Sequence, residues 1–143
     1  MTRDRHDDDV VFSVPFVAYQ PRPRMVARPH PRMYEERRDK LEKSAIAAAY
    51  AKAGGGVFEG SVRVEVAVIE PLPKSRPRSV LAEEFTVKPD ADNIAKKVLD
   101  ALNGVAYADD SHVTELVVTK LPRLRGADCE THVLVGRAER REI

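Results

Sequence analysis

The stretch Lys88–Val113, KPDADNIAKKVLDALNGVAYADDSHV, decides how this chain is read. Asp90 and Asp92 stand at the mouth of a helix, Lys96 one turn further in, and Asp109-Asp110 just before a strand. Carboxylates this dense repel one another if the fold brings them together. A divalent cation removes that repulsion, because Mg²⁺ takes hard oxygen ligands. The segment therefore points to metal-dependent chemistry on phosphate. Pro89 sits just ahead of the helix, where proline is tolerated. Asp92 or Asp90 fits the N-cap of a helix over Asn93–Leu102, and Asn103-Gly104 stops it. Ile94, Ala95, Val98, Leu99, Ala101 and Leu102 form its apolar stripe. Asp92, Lys96 and Asp100, four apart, stack along its polar face.

Each of these side chains also has a plainer role. Asp90 and Asp92 suit helix capping, since free backbone N–H groups and the dipole favour acids there. Two acids flanking Ala91 on an extended approach can point to one side, however, and so reach one cation. Asp109 and Asp110 suit a polar turn. Adjacent residues in an extended segment point opposite ways, so one of the two faces the site and the other is a supporting or turn residue; spacing does not choose between them. Lys96 pairs with Asp92 at i,i+4, or contacts the scissile phosphate and offsets charge in the transition state. Lys97, about 100° round the helix, is expected in solvent. Asp100 lies at the unfavourable end of the dipole and needs a cationic partner, Lys96 or an N-terminal arginine; it reads as structural.

Outward from this segment, Ser61–Glu70 (SVRVEVAVIE) alternates cleanly and predicts a half-buried strand, Val62, Val64, Val66 and Val68 facing one way and Arg63 and Glu65 the other. Val10–Tyr19 is apolar and β-branched, a strand that Pro15 sends to an edge or a bulge. Gln20–Met33, with four prolines and four arginines, reads as a loop presenting guanidinium groups. A helix follows from Tyr34 or Glu35 to about Ala53, with Leu41, Ala45, Ala48 and Ala49 as its apolar side, ended by Gly54-Gly55-Gly56. Pro71–Val87 reads as a loop that orders on ligand binding. Val113–Lys120 and Thr131–Val135 are strands. The order predicts a single α+β domain: a mixed sheet with two main helices against it.

A chain of 143 residues with one cysteine, Cys129, fits one domain with one core and no disulfide framework. The expected organisation is a disordered acidic lead-in over residues 1–9, a domain over 10–136 and a tail over 137–143. A reduced, cytoplasmic setting is expected, with no membrane span and no secretory signal. The net charge of +1 says little, but its distribution says more. Gln20–Lys43 carries eight basic residues against four acids, and Lys74, Arg76 and Arg78 form a second basic group. Arginines that hold a phosphate backbone around a carboxylate pocket make the layout of a nuclease. His30 and His112 lack partners at zinc-ligand spacing, Cys129 lacks a partner for nucleophilic catalysis, and the glycine run lacks the Lys-Ser/Thr of a phosphate loop.

Pro89-Asp90-Ala91-Asp92-Asn93, Lys96, Leu99-Asp100-Ala101-Leu102-Asn103, Asp109-Asp110 and Val113 together resemble the RusA family of Holliday junction resolvases. The chain looks like a phage or prophage-type member. Val14-Pro15-Phe16, Pro21-Arg22-Pro23-Arg24 and Tyr34-Glu35 are similar to the family's start, and the likeness runs from about Val10 to Val135. It implies a Mg²⁺-dependent endonuclease, with Mn²⁺ as a substitute and no organic cofactor. It also implies a homodimer acting on branched DNA, the four-way junction, by symmetric nicks. The family's catalytic and metal-binding aspartates fall on Asp90, Asp92 and Asp110, its essential lysine on Lys96, and Asp109 and Asp100 become supporting residues. Arg22, Arg24, Arg76 and Arg78 are the expected DNA contacts. The competing readings are a less selective or flap-directed metal nuclease, a non-catalytic DNA-binding protein, and a phosphorelay receiver. The order of acids and lysine disfavours the last.

Overall fold

Val62, Val64, Val66 and Val68 are all buried and form the inner face of β2 (Val62–Ile69). The computed structural model describes residues 5–21 and 29–139, and of 29–35 the backbone alone. The other elements are β1 (Val10–Val14), α1 (Pro29–Lys52), β3 (Ala82–Glu83), α2 (Ala91–Leu102), a 3-10 turn (Asp110–His112), β4 (Val113–Lys120), β5 (Arg123–Leu124) and β6 (Glu130–Arg137). Four strands make one sheet in the order β1-β6-β2-β4, and β3 pairs with β5 in a separate two-stranded ribbon. This is the mixed α+β architecture expected. β2 runs antiparallel to β6, with Val64 opposite Val135 and Val66 opposite Val133. It runs parallel to β4, with Val64 opposite Leu116. A parallel pair requires the chain to travel back before the second strand starts, and α2 makes that return.

Both helices lie on one face of the sheet. Ile46 and Tyr50 of α1 and Ile94, Val98 and Leu102 of α2 join the β2 valines, Phe12 and Val133 in one core. Fully burying each such side chain stabilises the fold by about 1.5–3 kcal/mol. On the opposite face, Arg63 bonds Glu65 at 2.9 Å and Glu115 at 3.0 Å, so the ion pairs there close among themselves. β1 ends before Pro15 and occupies a sheet edge, where proline costs no ladder bond.

Four expectations need correction. Helix α1 starts at Pro29, not at Tyr34 or Glu35. Pro29 and Pro31 fall in the first turn, where a missing N–H costs nothing. Its inner face is not Leu41, Ala45 and Ala48: Leu41 is 72% exposed and both alanines are exposed. The inward line is Asp39, Glu42, Lys43, Ile46 and Tyr50, partly polar because of what it meets on α2. The segment 71–87 is not a featureless loop but carries β3, clamped to β5. Lastly, His6–Asp9, expected in a disordered lead-in, form a turn: His6 N–H donates to Asp9 Oδ2 at 2.8 Å, and Arg137 bonds Asp8 at 2.8 Å. The glycine run ends α1 as expected, for two reasons. Gly54 takes φ +89°, and a Cβ on Gly55 would stand 2.3 Å from the Tyr50 ring. The Tyr50 hydroxyl donates to the Gly56 carbonyl, and burial pushes its pKa up to about 12.

Candidate active site and nucleic-acid interface

Asp90 is the N-cap residue of α2, yet its carboxylate accepts no capping hydrogen bond. Its backbone carbonyl takes Ile94 N–H at 3.1 Å, so the helix begins without its side chain. Asp92 is exposed in the first turn and accepts from Asn93 N–H at 2.9 Å. Lys96 is exposed one turn on, and among the described residues no carboxylate pairs with it. Asp90 and Asn93 border a cavity of about 470 Å³, closed by Tyr19–Pro21, by Arg38, Asp39 and Glu42 of α1, by Glu70 and by Lys88-Pro89. Asp100, half-buried near the far end of α2, finds its cation in Lys43 of α1 at 3.9 Å, not in Lys96.

The late acids divide their roles. Asp109 caps the 3-10 turn, accepting from Ser111 N–H at 3.0 Å, and the Ser111 side chain, with that backbone bond second, holds its carboxyl below the ordinary 3.8. Asp110 is exposed as the first residue of the turn. Just before them, Tyr107 is fully buried and donates to the Leu99 carbonyl at 2.9 Å. Burial pushes the Tyr107 hydroxyl pKa far up, and the charges of Asp110, Asp100 and Asp109 add to the effect. Asp110 therefore stands near the C-terminal end of α2.

Asp90 and Asp110 accordingly lie at opposite ends of that helix. Asp90 shares its cavity with Glu70, just past the finish of β2, whereas the 3-10 turn leads into the start of β4, where Val113 pairs with Val62. A helix of twelve residues rises about 18 Å. One chain does not bring Asp90, Asp92 and Asp110 to a common ion. Among the described residues, the three potential ligands whose atoms come within 4.8 Å of one another are His6, Asp8 and Asp9. The chemistry of the expected donor set suits Mg²⁺, being oxygen throughout, but its placement within one chain does not.

Lys97, expected in solvent, is completely buried. Its ammonium bonds Asp39 Oδ1 at 2.7 Å, Glu42 Oε1 at 2.8 Å and the Tyr19 carbonyl at 3.4 Å. Burial raises the Asp39 pKa, but hydrogen bonds from Lys97 and Lys43 outweigh it and leave the carboxyl below 3.8. Both acids border the cavity beside Asp90, so this cluster forms part of its wall. The signal that could have found it is the 39/42/46/50 spacing on α1, which puts two carboxylates in line with Ile46 and Tyr50.

Of the expected DNA contacts, Arg22 and Arg24 lie outside the described residues. Arg78 is exposed. Arg76 is occupied: Glu83 accepts from its guanidinium at 2.8 and 3.2 Å. That bond raises the Arg76 pKa and lowers that of Glu83. No described helix is long and apolar enough to cross a membrane.

Comparison with known proteins bears on this arrangement. A family model described as endodeoxyribonuclease RusA matches residues 15–133, most of the chain. The chain is also similar to an uncharacterized protein of Bacillus subtilis (strain 168), YqaN, at 42% identity over 72 residues. That match covers 45% of this chain and 51% of the relative, so the chain spans about half the length of the curated relative it matches.

Proposed function

The chain belongs to the RusA endodeoxyribonuclease family, and on that premise we propose that it resolves four-way DNA junctions by paired, symmetric, Mg²⁺-dependent nicks. The observation that carries this reading is the contrast on α2. Asp92 and Lys96 are exposed one turn apart on a helix whose start, at Asp90 and Asn93, borders the cavity, while the next lysine is sealed and neutralised. Asp90 and Asp92 would hold Mg²⁺, or Mn²⁺ in its place, at the start of α2. The separation of Asp110 within one chain favours a homodimer in which the partner's Asp110 completes the set. Two-fold symmetry also suits a substrate with two equivalent strands to cut. Such an ion would supply Lewis acidity and a water of lowered pKa, which gives a hydroxide nucleophile near neutral pH. Lys96 offsets charge on the phosphoryl oxygens. Asp109 fixes the turn that presents Asp110, and Asp100, paired with Lys43, holds α2 against α1. Arg22, Arg24 and Arg78 grip the phosphate backbone without reading bases, and Arg76 shapes the segment that carries Arg78. A reading as a junction nuclease fits the cytoplasm of a bacterial cell, with a phage or prophage gene as its source.

The test is cleavage of a mobile four-way junction with Mg²⁺ and with chelator, mapping both cuts. Two nicks symmetric about the branch, lost with chelator, support the proposal. Equal cutting of flaps and linear duplex makes the protein a less selective nuclease. Binding without any cleavage makes it a non-catalytic DNA-binding protein.

A further inference from the structure

The segment from 71 to 87 is built more firmly than a surface loop requires. Arg76 grips Glu83, Glu83 also meets Arg123 at 3.3 Å, and Arg123 reaches Glu70 at 3.1 Å. Arg125 donates to the carbonyls of Pro77 at 2.7 Å, Val80 at 2.9 Å and Arg76 at 3.2 Å. Phe85 is buried under the Lys120 ammonium, 4.4 Å from its ring centroid.

This scaffold presents apolar side chains to water. Leu81 is 68% exposed and Leu124 49% exposed. They sit one step apart along the ribbon, one on each of its faces, because Ala82 pairs with Leu124 and the Leu81 carbonyl accepts from Arg125 N–H. The braced frame thus fixes two leucines outward. Cationic side chains flank them, alongside the exposed acids Glu84 and Asp128. Lys74 and Arg78 are exposed, and the Arg125 guanidinium is met by neutral carbonyls, with no carboxylate among the described residues to cancel it. The ribbon also stands at the same end of the sheet as Asp90, since Lys120 at the finish of β4 bonds the Val87 carbonyl three residues before Asp90.

We propose that the β3–β5 ribbon is a wedge for branched DNA: Leu81 and Leu124 contact bases at the branch point, while Lys74, Arg78 and Arg125 hold the flanking phosphates. This rests on the junction-directed reading above. Cationic rims and apolar tips together suit nucleic acid. A branch point is where inserting an apolar side chain costs least, because stacking there is already interrupted.

The experiment uses the full chain and a four-way junction carrying 2-aminopurine at the crossover, in chelator so that binding is read without cleavage. The parent protein should raise 2-aminopurine fluorescence as bases unstack. L81S/L124S should abolish the rise and weaken junction binding by about tenfold, leaving linear-duplex affinity close to parental. L81M/L124M should keep the rise, which separates apolar contact from any general disturbance of the ribbon. Parental binding and fluorescence in L81S/L124S would overturn the wedge while leaving the nuclease reading intact. A drop from dimer to monomer in that variant would overturn it too, assigning the leucines to a second copy. A parent protein that neither binds nor cuts junctions would overturn both readings.

Discussion

Lys96 and Lys97 are consecutive on α2 and have opposite fates. Lys96 is exposed, one turn from Asp92, with no carboxylate among the described residues to neutralise it. Lys97 is sealed between helices by Asp39, Glu42 and the Tyr19 carbonyl. Two identical side chains thus differ only by a turn of about 100° and by what faces them. A lysine whose charge is already balanced holds structure together; one whose charge remains available can meet a phosphate.

The largest effect should come from the open side. Lys96→Ala should lower junction cleavage by about a hundred- to a thousandfold. Asp92→Asn should lower it at least as much, with junction binding retained or tighter as a negative charge is lost. Both variants should melt near the parent temperature. Normal turnover in Lys96→Ala would erase the functional half of the contrast.

On the sealed side the readout changes from rate to stability. Lys97→Ala leaves two carboxylates without their cation in a buried setting, which should cost about 3–5 kcal/mol in urea denaturation. Replacing Lys97 with Met together with Asp39 and Glu42 by Leu removes the whole cluster, and should restore most of that loss. If Lys97→Ala instead melts like the parent, the cluster is not structural.

A smaller effect follows from pH. The folded-state pKa of Asp39 is lowered, so its contribution is complete above the ordinary 3.8 and is lost as pH falls through the lowered value. Acid unfolding of the parent should therefore steepen below about pH 4, and Asp39→Asn should flatten that part of the curve. The smallest change concerns the late acids. Asp109→Ala loses the cap of the turn that presents Asp110, so it should lower the melting temperature slightly and cleavage only severalfold. Asp110→Ala should lose cleavage. Equal losses would dissolve the division of labour between the two.

Much of the fold was legible because it is written in local periods. β2 shows as alternating valines, α2 as a stripe at helical spacing, and their ends as glycine, proline and asparagine. The inner face of α1 was only half legible: the 39/42/46/50 spacing lines two carboxylates up with Ile46 and Tyr50, but the cation that turns that line inward is Lys97, 55 residues away from Glu42. The β3–β5 ribbon was missed for the same reason, since Arg125 clamps carbonyls 45 to 49 residues back. The candidate site was legible as chemistry and not as geometry. Asp92 and Asp110 are near in sequence, but the parallel pairing of β2 and β4 lays a whole helix between them.

That intervening helix behaves as a ruler. Its rise fixes the interval between the two acidic stations in steps of about 1.5 Å, and each added residue also swings the far station by about 100°. Length changes inside it are therefore quantised: one extra residue misaims everything beyond it, while a change near a full turn preserves direction and alters only reach. An enzyme assembled across two subunits on such a gauge would have its cutting distance set by backbone geometry rather than by loop plasticity.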